Sequence, residues 1–296
     1  MFILALDSLD DIQSILAAKP DAVVAGVPPF CARCRAICSF EELEALVSAF
    51  HAHGIKVYLN MQAMIEQKNL PAHISAFARA VSCKVDGIYI ADDGYIQIAK
   101  ELSDQTNGTE DYRNLLIVQP ETLICSAEDA NFFASLNTQA QSLSHELSLN
   151  EIEACAKECA SLEMLISGRY SWMESRRPLI ENYLRHIGRA DQFENAKLYE
   201  LREMNRPGHL PVWQDHLGTH VLGDEIFQAG DDLKGLAEAG LNRYRIDCLL
   251  EGNAWGIKML NAYRHLLDDS HTSTGIKSTI RDTESLIRKE KSNVAY

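Results

Sequence analysis

Short apolar runs alternate along this chain with segments whose apolar residues recur at helical spacing. Six runs are plain: Phe2–Asp7 (FILALD), Ala22–Val27 (AVVAGV), Lys56–Asn60 (KVYLN), Gly87–Asp92 (GIYIAD), Leu115–Gln119 (LLIVQ) and Met164–Gly168 (MLISG). Two more, Gln141–Glu146 (QSLSHE) and Tyr244–Cys248 (YRIDC), are less distinct. Continuous apolar strands separated by helices imply a parallel sheet covered on both faces. Eight such units fit a (β/α)8, TIM-barrel-like single domain, whose usual size is about 250 residues. An open doubly wound sheet would carry a glycine-rich phosphate turn after its first strand, and LDSLDD (Leu6–Asp11) is no such turn.

Helix starts support the same division. Ser39 with Glu42, and Ser148 with Glu151, have the spacing of capping boxes, in which hydroxyl and carboxylate satisfy the first free backbone N–H groups. The segment RPGHLPVWQDHLGTH points to an insertion at Leu198–Asp232, before the last β/α unit. The expected barrel domain spans residues 1–268. From 269 to 296 the apolar period is lost and the chain turns Ser/Thr/Lys-rich, the composition of a polar tail.

Composition narrows the setting. Hydrophobic residues make up 46% of 296, enough for a large core. The amino terminus has no basic region, and no run approaches the ~18 apolar residues of a membrane span, so a cytoplasmic protein without a membrane partner is expected. Eight cysteines without a secretory context read as free thiols. A net charge of -14 repels nucleic acid as a whole, so binding to RNA would need a local basic patch or a basic partner.

In a barrel the chemistry belongs at the carboxyl ends of the strands. Those positions hold Asp7, Pro28, Asn60, Asp92 with Asp93, Gln119 with Glu121, Glu146, Arg169 and Asp247. Any single acid there can serve as a helix cap. Together with Arg169 they describe a polar pocket for an anionic or hydrogen-bonding small molecule. Cys31, Cys34 and Cys38 form C-x2-C-x3-C, a soft donor set with no fourth ligand nearby, read as loop thiols before metal ligands. Asp215, His216 and His220 in DHLGTH lack the H-E-x-x-H context of a zinc site. No nucleophile elbow, P-loop or dinucleotide fingerprint is present.

The stretch ISGRYSWMESRRPLIENYL (Ile166–Leu184) is net basic within an acidic chain. Leu179, Ile180, Tyr183, Leu184 and Ile187 predict the buried stripe of a helix, with Ser175 as cap and Pro178 in the first turn. Arg169, Arg176, Arg177, Arg185 and Arg189 remain. Arg169 and Arg176 at a helix amino terminus offer guanidinium forks beside free backbone N–H groups, and Tyr170 and Trp172 offer faces for stacking.

This stretch resembles the U32, or collagenase-like peptidase, family, as do SHELSLNEI (Ser144–Ile152), PVWQDHLGTHVLGDEI (Pro211–Ile226), Leu241–Arg264 and two amino-terminal segments. The resemblance covers most of Met1 to about Asp268 and implies a barrel-like core. It also implies a role in RNA or quinone hydroxylation as readily as proteolysis. Members with such roles typically hold an iron–sulfur cluster on four cysteines, the first directly after a Ser-Gly-Arg-like motif. Here Tyr170 occupies that position and no cysteine follows until Cys248, so a bound cofactor is not expected. The similarity to short members that accompany a longer U32 protein implies an accessory role in tRNA wobble-uridine hydroxylation, with the longer chain and tRNA as partners. A U32-type peptidase and a non-catalytic structural partner are the alternatives. The expected ligand site is Arg169, Arg176, Glu146, Asp215 and Thr219: the two arginines clamp an anion, Glu146 and Asp215 orient the guanidinium groups, and Thr219 makes one hydrogen bond.

Overall fold

The protein is described by a computed structural model that covers residues 1–202, 204 and 208–268. The polar tail expected at 269–296 lies outside the described residues. Six β/α units and a seventh strand run β1 (Phe2–Ala5), α1 (Ile12–Ala18), β2 (Ala22–Gly26), α2 (Phe40–His51), β3 (Lys56–Asn60), α3 (Leu70–Ser82), β4 (Gly87–Ile90), α4 (Gly94–Asp104), β5 (Leu116–Val118), α5 (Ala127–Ser135), β6 (Ala140–Ser142), α6 (Leu149–Glu158) and β7 (Leu162–Gly168). After an excursion come α8 (Asp232–Ala239), β13 (Arg243–Asp247) and α9 (Asn253–Leu267). The eight parallel strands pair in sequence order, and β13 pairs with both β7 and β1, closing a (β/α)8 barrel. All eight runs identified from the apolar pattern are strands of this barrel. Ser39–Glu42 and Ser148–Glu151 both form their capping boxes.

Side chains alternate between two environments, as the two-residue period of a strand requires. Leu4, Val23, Val57, Ile88, Leu116, Met164 and Ile246 face the helices in the main core. A smaller cluster of Ile3, Ala22, Val24, Tyr58, Tyr89, Ile117 and Ala140 fills the barrel interior. Such interiors are usually packed with branched apolar residues. Here the same inward parity brings Glu163 from β7 and both Arg243 and Arg245 from β13, buried at 0%, 7% and 8% exposure. The Tyr89 hydroxyl donates to Glu163 Oε2 at 2.6 Å, Arg243 Nε lies 3.6 Å from the same oxygen, and Arg245 Nε lies 3.4 Å from Oε1. Arg243 also sits over the Tyr58 ring, 5.4 Å from its centroid. Small inward residues such as Ala5, Ala22 and Ala140 leave room for the two guanidiniums.

The chain leaves the barrel at Gly168, where φ is +141° and a Cβ would meet Asp247 Cβ at 2.8 Å, so only glycine fits. A second, antiparallel sheet of order β8-β11-β10-β9 follows, built from β8 (Ser171–Ser175), β9 (Tyr199–Arg202), β10 (His209–Asp215) and β11 (Gly218–Leu222), with α7 (Leu179–His186) packed on it. A short β12 (Phe227–Gln228) returns antiparallel to β7. The excursion therefore opens at Ser171, well before Leu198, and α7 belongs to it; the barrel's seventh helix is α8. The mostly exposed strand SWMES has no apolar run to betray it. The buried stripe expected on α7 is likewise reduced: Leu184 is its buried residue, while Tyr183 and Ile187 are 62% and 41% exposed. The helix rests on a small cluster of Leu210, Val212 and Val221 through Ile180.

Removing the carboxylate between two buried guanidiniums takes away the carboxylate partner of Arg243 and leaves Arg245 with Asp247. Glu163→Ala is expected to lower the unfolding free energy by about 3–5 kcal/mol in urea denaturation. A loss under about 1 kcal/mol would show that the interior does not depend on this ion cluster.

Candidate functional site at the barrel mouth

At the carboxyl ends of the strands a small cavity of about 30 Å³ opens above the charged interior. Its floor includes Tyr89 and Arg245, and its wall Asn60, Gln119, Glu121 and Asp247. A run of hydrogen bonds fixes that wall. Asn60 accepts from the Ala32 N–H at 3.2 Å and donates to Ala32 O at 3.0 Å and to Gln62 Oε1 at 2.9 Å. Gln62 donates to Gln119 Oε1 at 2.5 Å, and Gln119 donates to Glu121 Oε1 at 2.8 Å. Arg33 then donates to Glu121 at 3.0 Å and, through its other terminal nitrogen, to Glu174 of β8. One guanidinium, with its side chain 8% exposed, thus ties the barrel mouth to the excursion.

On the opposite side Arg245 donates to Asp247 Oδ2 at 3.2 Å, and Asp247 Oδ1 accepts from the Leu249 N–H at 3.0 Å. Burial pushes the Asp247 carboxyl above the usual carboxylate range, against the opposing pull of Arg245. Arg33 and Cys34 are shared with a second cleft of about 540 Å³ between barrel and excursion, whose walls include Trp213, Leu249, Leu250 and Asp215. The composite site is a small polar well opening into a larger, partly apolar cleft. Such a well suits a compact ligand with charged or hydrogen-bonding groups.

The five residues expected to share a pocket are dispersed. Arg169 donates from Nη1 to the carbonyls of Gly223 and Asp224, at 2.9 and 2.8 Å, and from Nε to Glu251 Oε1 at 2.9 Å, so it fastens the end of the excursion to the barrel. Arg176 pairs with Glu66 across a separate groove. Glu146 is exposed. Thr219, 1% exposed, donates to Arg177 O and accepts from the Leu179 N–H. Asp215 alone reaches the cleft beside the mouth, where its carboxylate contacts His220 Nε2 at 3.1 Å. Burial raises the Asp215 pKa, but the pulls of His220, the Leu217 N–H and His216 together outweigh it and the net shift is downward.

The anion site expected at the start of α7 is closed for a specific reason. Gln214 Oε1 accepts from the Ile180 and Glu181 N–H groups, at 3.0 and 3.1 Å, and Thr219 takes that of Leu179, so these three backbone donors are spent. Ser175 does not cap the helix; Pro178 stands at that position. Tyr170 packs between His145 and Phe227, at centroid distances of 4.5 and 4.7 Å. His216 faces Pro29 O at 3.3 Å, away from a shared face with His220.

The thiols do not fit a four-cysteine cluster. Cys31 and Cys34 adjoin each other beside Gly26, Cys38 faces the Gly26 carbonyl, and Cys248 is fully buried against Gly256 on the helix side of β13. Among the described residues, no group of three or more His, Cys, Asp or Glu side chains is placed to hold a metal ion. Arg33, Gln62, Tyr89 and Arg245 are the mouth residues that strand-end reasoning missed. Parity could have found two of them, since Gln62 and Arg245 stand two residues from Asn60 and Asp247 on the same face.

A closed parallel barrel with a polar well at its carboxyl ends, covered by an antiparallel excursion, has the architecture of a small-molecule-binding or catalytic (β/α)8 protein. The sequence model of peptidase family U32 matches residues 7–294, and the chain belongs to that family. It is 23% identical over 273 residues to tRNA hydroxylation protein P2 of Bacillus subtilis, covering 88% of this chain and 83% of that protein. It is 22% identical over 252 residues to the 23S rRNA 5-hydroxycytidine synthase of Escherichia coli, covering 84% of this chain and 36% of the synthase, about a third of that relative's length. A solved U32 peptidase structure superposes with a TM-score of 0.48 at 15% identity, covering 83% of this chain and 91% of that one.

Because Glu251 has a side chain only 1% exposed, withdrawing its guanidinium should be costly. Arg169→Ala is expected to lose about 3 kcal/mol of stability in chemical denaturation, while Arg176→Ala, whose pair is solvent-exposed, should lose less than about 1 kcal/mol. Equal losses would remove the distinction between a buried fastening and a surface pair.

Proposed function

We propose that this chain is a subunit or accessory factor in tRNA wobble-uridine hydroxylation, the reaction that forms 5-hydroxyuridine, and that it binds an anionic small molecule at the barrel mouth. The observation that carries the reading is the match along most of both chains to a tRNA hydroxylation protein. A second hydroxylation protein, acting on ribosomal RNA, matches over a similar stretch. Chemically, the well offers Arg33 and Arg245 as charged donors and Asn60, Gln62 and Gln119 as oriented amides. An incoming carboxylate would compete with Asp247 for Arg245, and the raised Asp247 pKa eases that exchange by letting the displaced carboxyl take up a proton.

Partners follow from the surface. With a net charge of -14, the chain engages tRNA only through a local patch, and exposed Arg177, Arg185 and Arg189 near α7 supply one. A longer U32 protein is the companion that would bring the remaining chemistry. The cysteine arrangement favours a chain that carries no iron–sulfur cluster of its own.

Two measurements test this reading. Nucleoside analysis of tRNA from a strain lacking this chain should show loss of 5-hydroxyuridine, restored by the wild-type gene; unchanged 5-hydroxyuridine would refute the assignment. Protein purified without oxygen should be colourless, with less than about one iron per chain, whereas a brown preparation with a sulfur-to-iron charge-transfer band would show a bound cluster.

A further inference from the structure

The turn after β2 carries two thiols at the boundary between the well and the cleft. A Cβ built on Gly26 would lie 2.8 Å from Cys31 Sγ and 2.9 Å from Cys34 Sγ, so both sulfurs converge on the space this glycine leaves open. Cys34 Sγ also lies 3.6 Å from Ala36 O. The two residues are three apart, the spacing of redox-active dithiols. Both line the cleft, and Cys34 also lines the well, so small molecules can reach them. Cys38, the third thiol of the turn, is directed at Gly26 O at 3.8 Å.

We propose that Cys31 and Cys34 form a dithiol–disulfide couple that exchanges two electrons with low-molecular-weight disulfides of the glutathione type. The Cys31 thiol loses its proton and its sulfur attacks one sulfur of the small disulfide. That S–S bond breaks, a mixed disulfide forms on Cys31, and the first glutathione leaves as a thiolate that takes up a proton. Cys34, deprotonated in turn, attacks the Cys31 sulfur and expels the second glutathione. Two protein thiols are oxidised and one small disulfide is reduced to two thiols. Arg33 lies between the two cysteines with φ at +49° and holds both Glu121 and Glu174. The couple therefore acts on the residue that ties the mouth to the excursion.

The full chain carrying Cys125→Ser, which removes an exposed thiol, is equilibrated with mixtures of reduced and oxidised glutathione, quenched in acid, alkylated and weighed. The expected product has lost two thiols and retains no glutathione. After trypsin, which cuts behind Arg33 and Arg35, the Cys31 peptide should remain joined to the Cys34–Arg35 dipeptide. Quenching at short times should find glutathione on Cys31 before it is found on Cys34, and Cys34→Ser should keep one glutathione on Cys31. The proposal is overturned if the equilibrated protein keeps glutathione on either cysteine without closing, if the disulfide that forms includes Cys38, or if both thiols stay reduced throughout.

Discussion

The structure turns on one carboxylate shared by two arginines inside a closed barrel. Glu163 lies at 0% exposure between Arg243 and Arg245, with the Tyr89 hydroxyl donating to it. A buried charge of this kind is costly unless its partners stay in place, so the cluster is a constraint before it is a source of stability. It fixes the register of β13 against β7, because a slip of one residue would turn both guanidiniums toward the helices. It also sets the floor of the well, since Tyr89 and Arg245 belong to both. The polar character of the mouth is thus continuous with a polar interior, where a barrel filled with branched apolar side chains would have ended.

Two guanidiniums then join the barrel to its excursion. Arg169, at the exit of β7, holds Glu251 and the carbonyls of Gly223 and Asp224. Arg33, in the turn after β2, holds Glu121 and Glu174. The first is remote from the well and works as a fastening. The second forms part of the well's wall, so one side chain both lines the mouth and holds the excursion.

The barrel was legible in the sequence because parallel strands buried on both faces read as continuous apolar runs, and all eight runs are strands. The excursion was not, because a strand such as SWMES is largely exposed and its partners are distant in sequence. The same blindness brought together five residues that the fold keeps apart. RRPLIENYL reads as a helix opening with free N–H groups, yet Gln214 and Thr219 arrive from β10 and β11 to occupy them. Asn60, Gln119, Glu121 and Asp247 were recognisable as strand ends. Arg33 was hidden within a cysteine motif, and Arg245 within a strand whose inward parity had to be known first.

The most direct test compares Arg33→Gln with Arg176→Ala in a strain lacking this chain, reading 5-hydroxyuridine in total tRNA after confirming that both variants fold. If the mouth is the working site, Arg33→Gln restores less than about a tenth of the wild-type modification, the order of effect of one charge-assisted contact worth about 1.5 kcal/mol, and Arg176→Ala restores it nearly in full. Full restoration by Arg33→Gln, or failure of Arg176→Ala alone, would contradict a site at the barrel mouth.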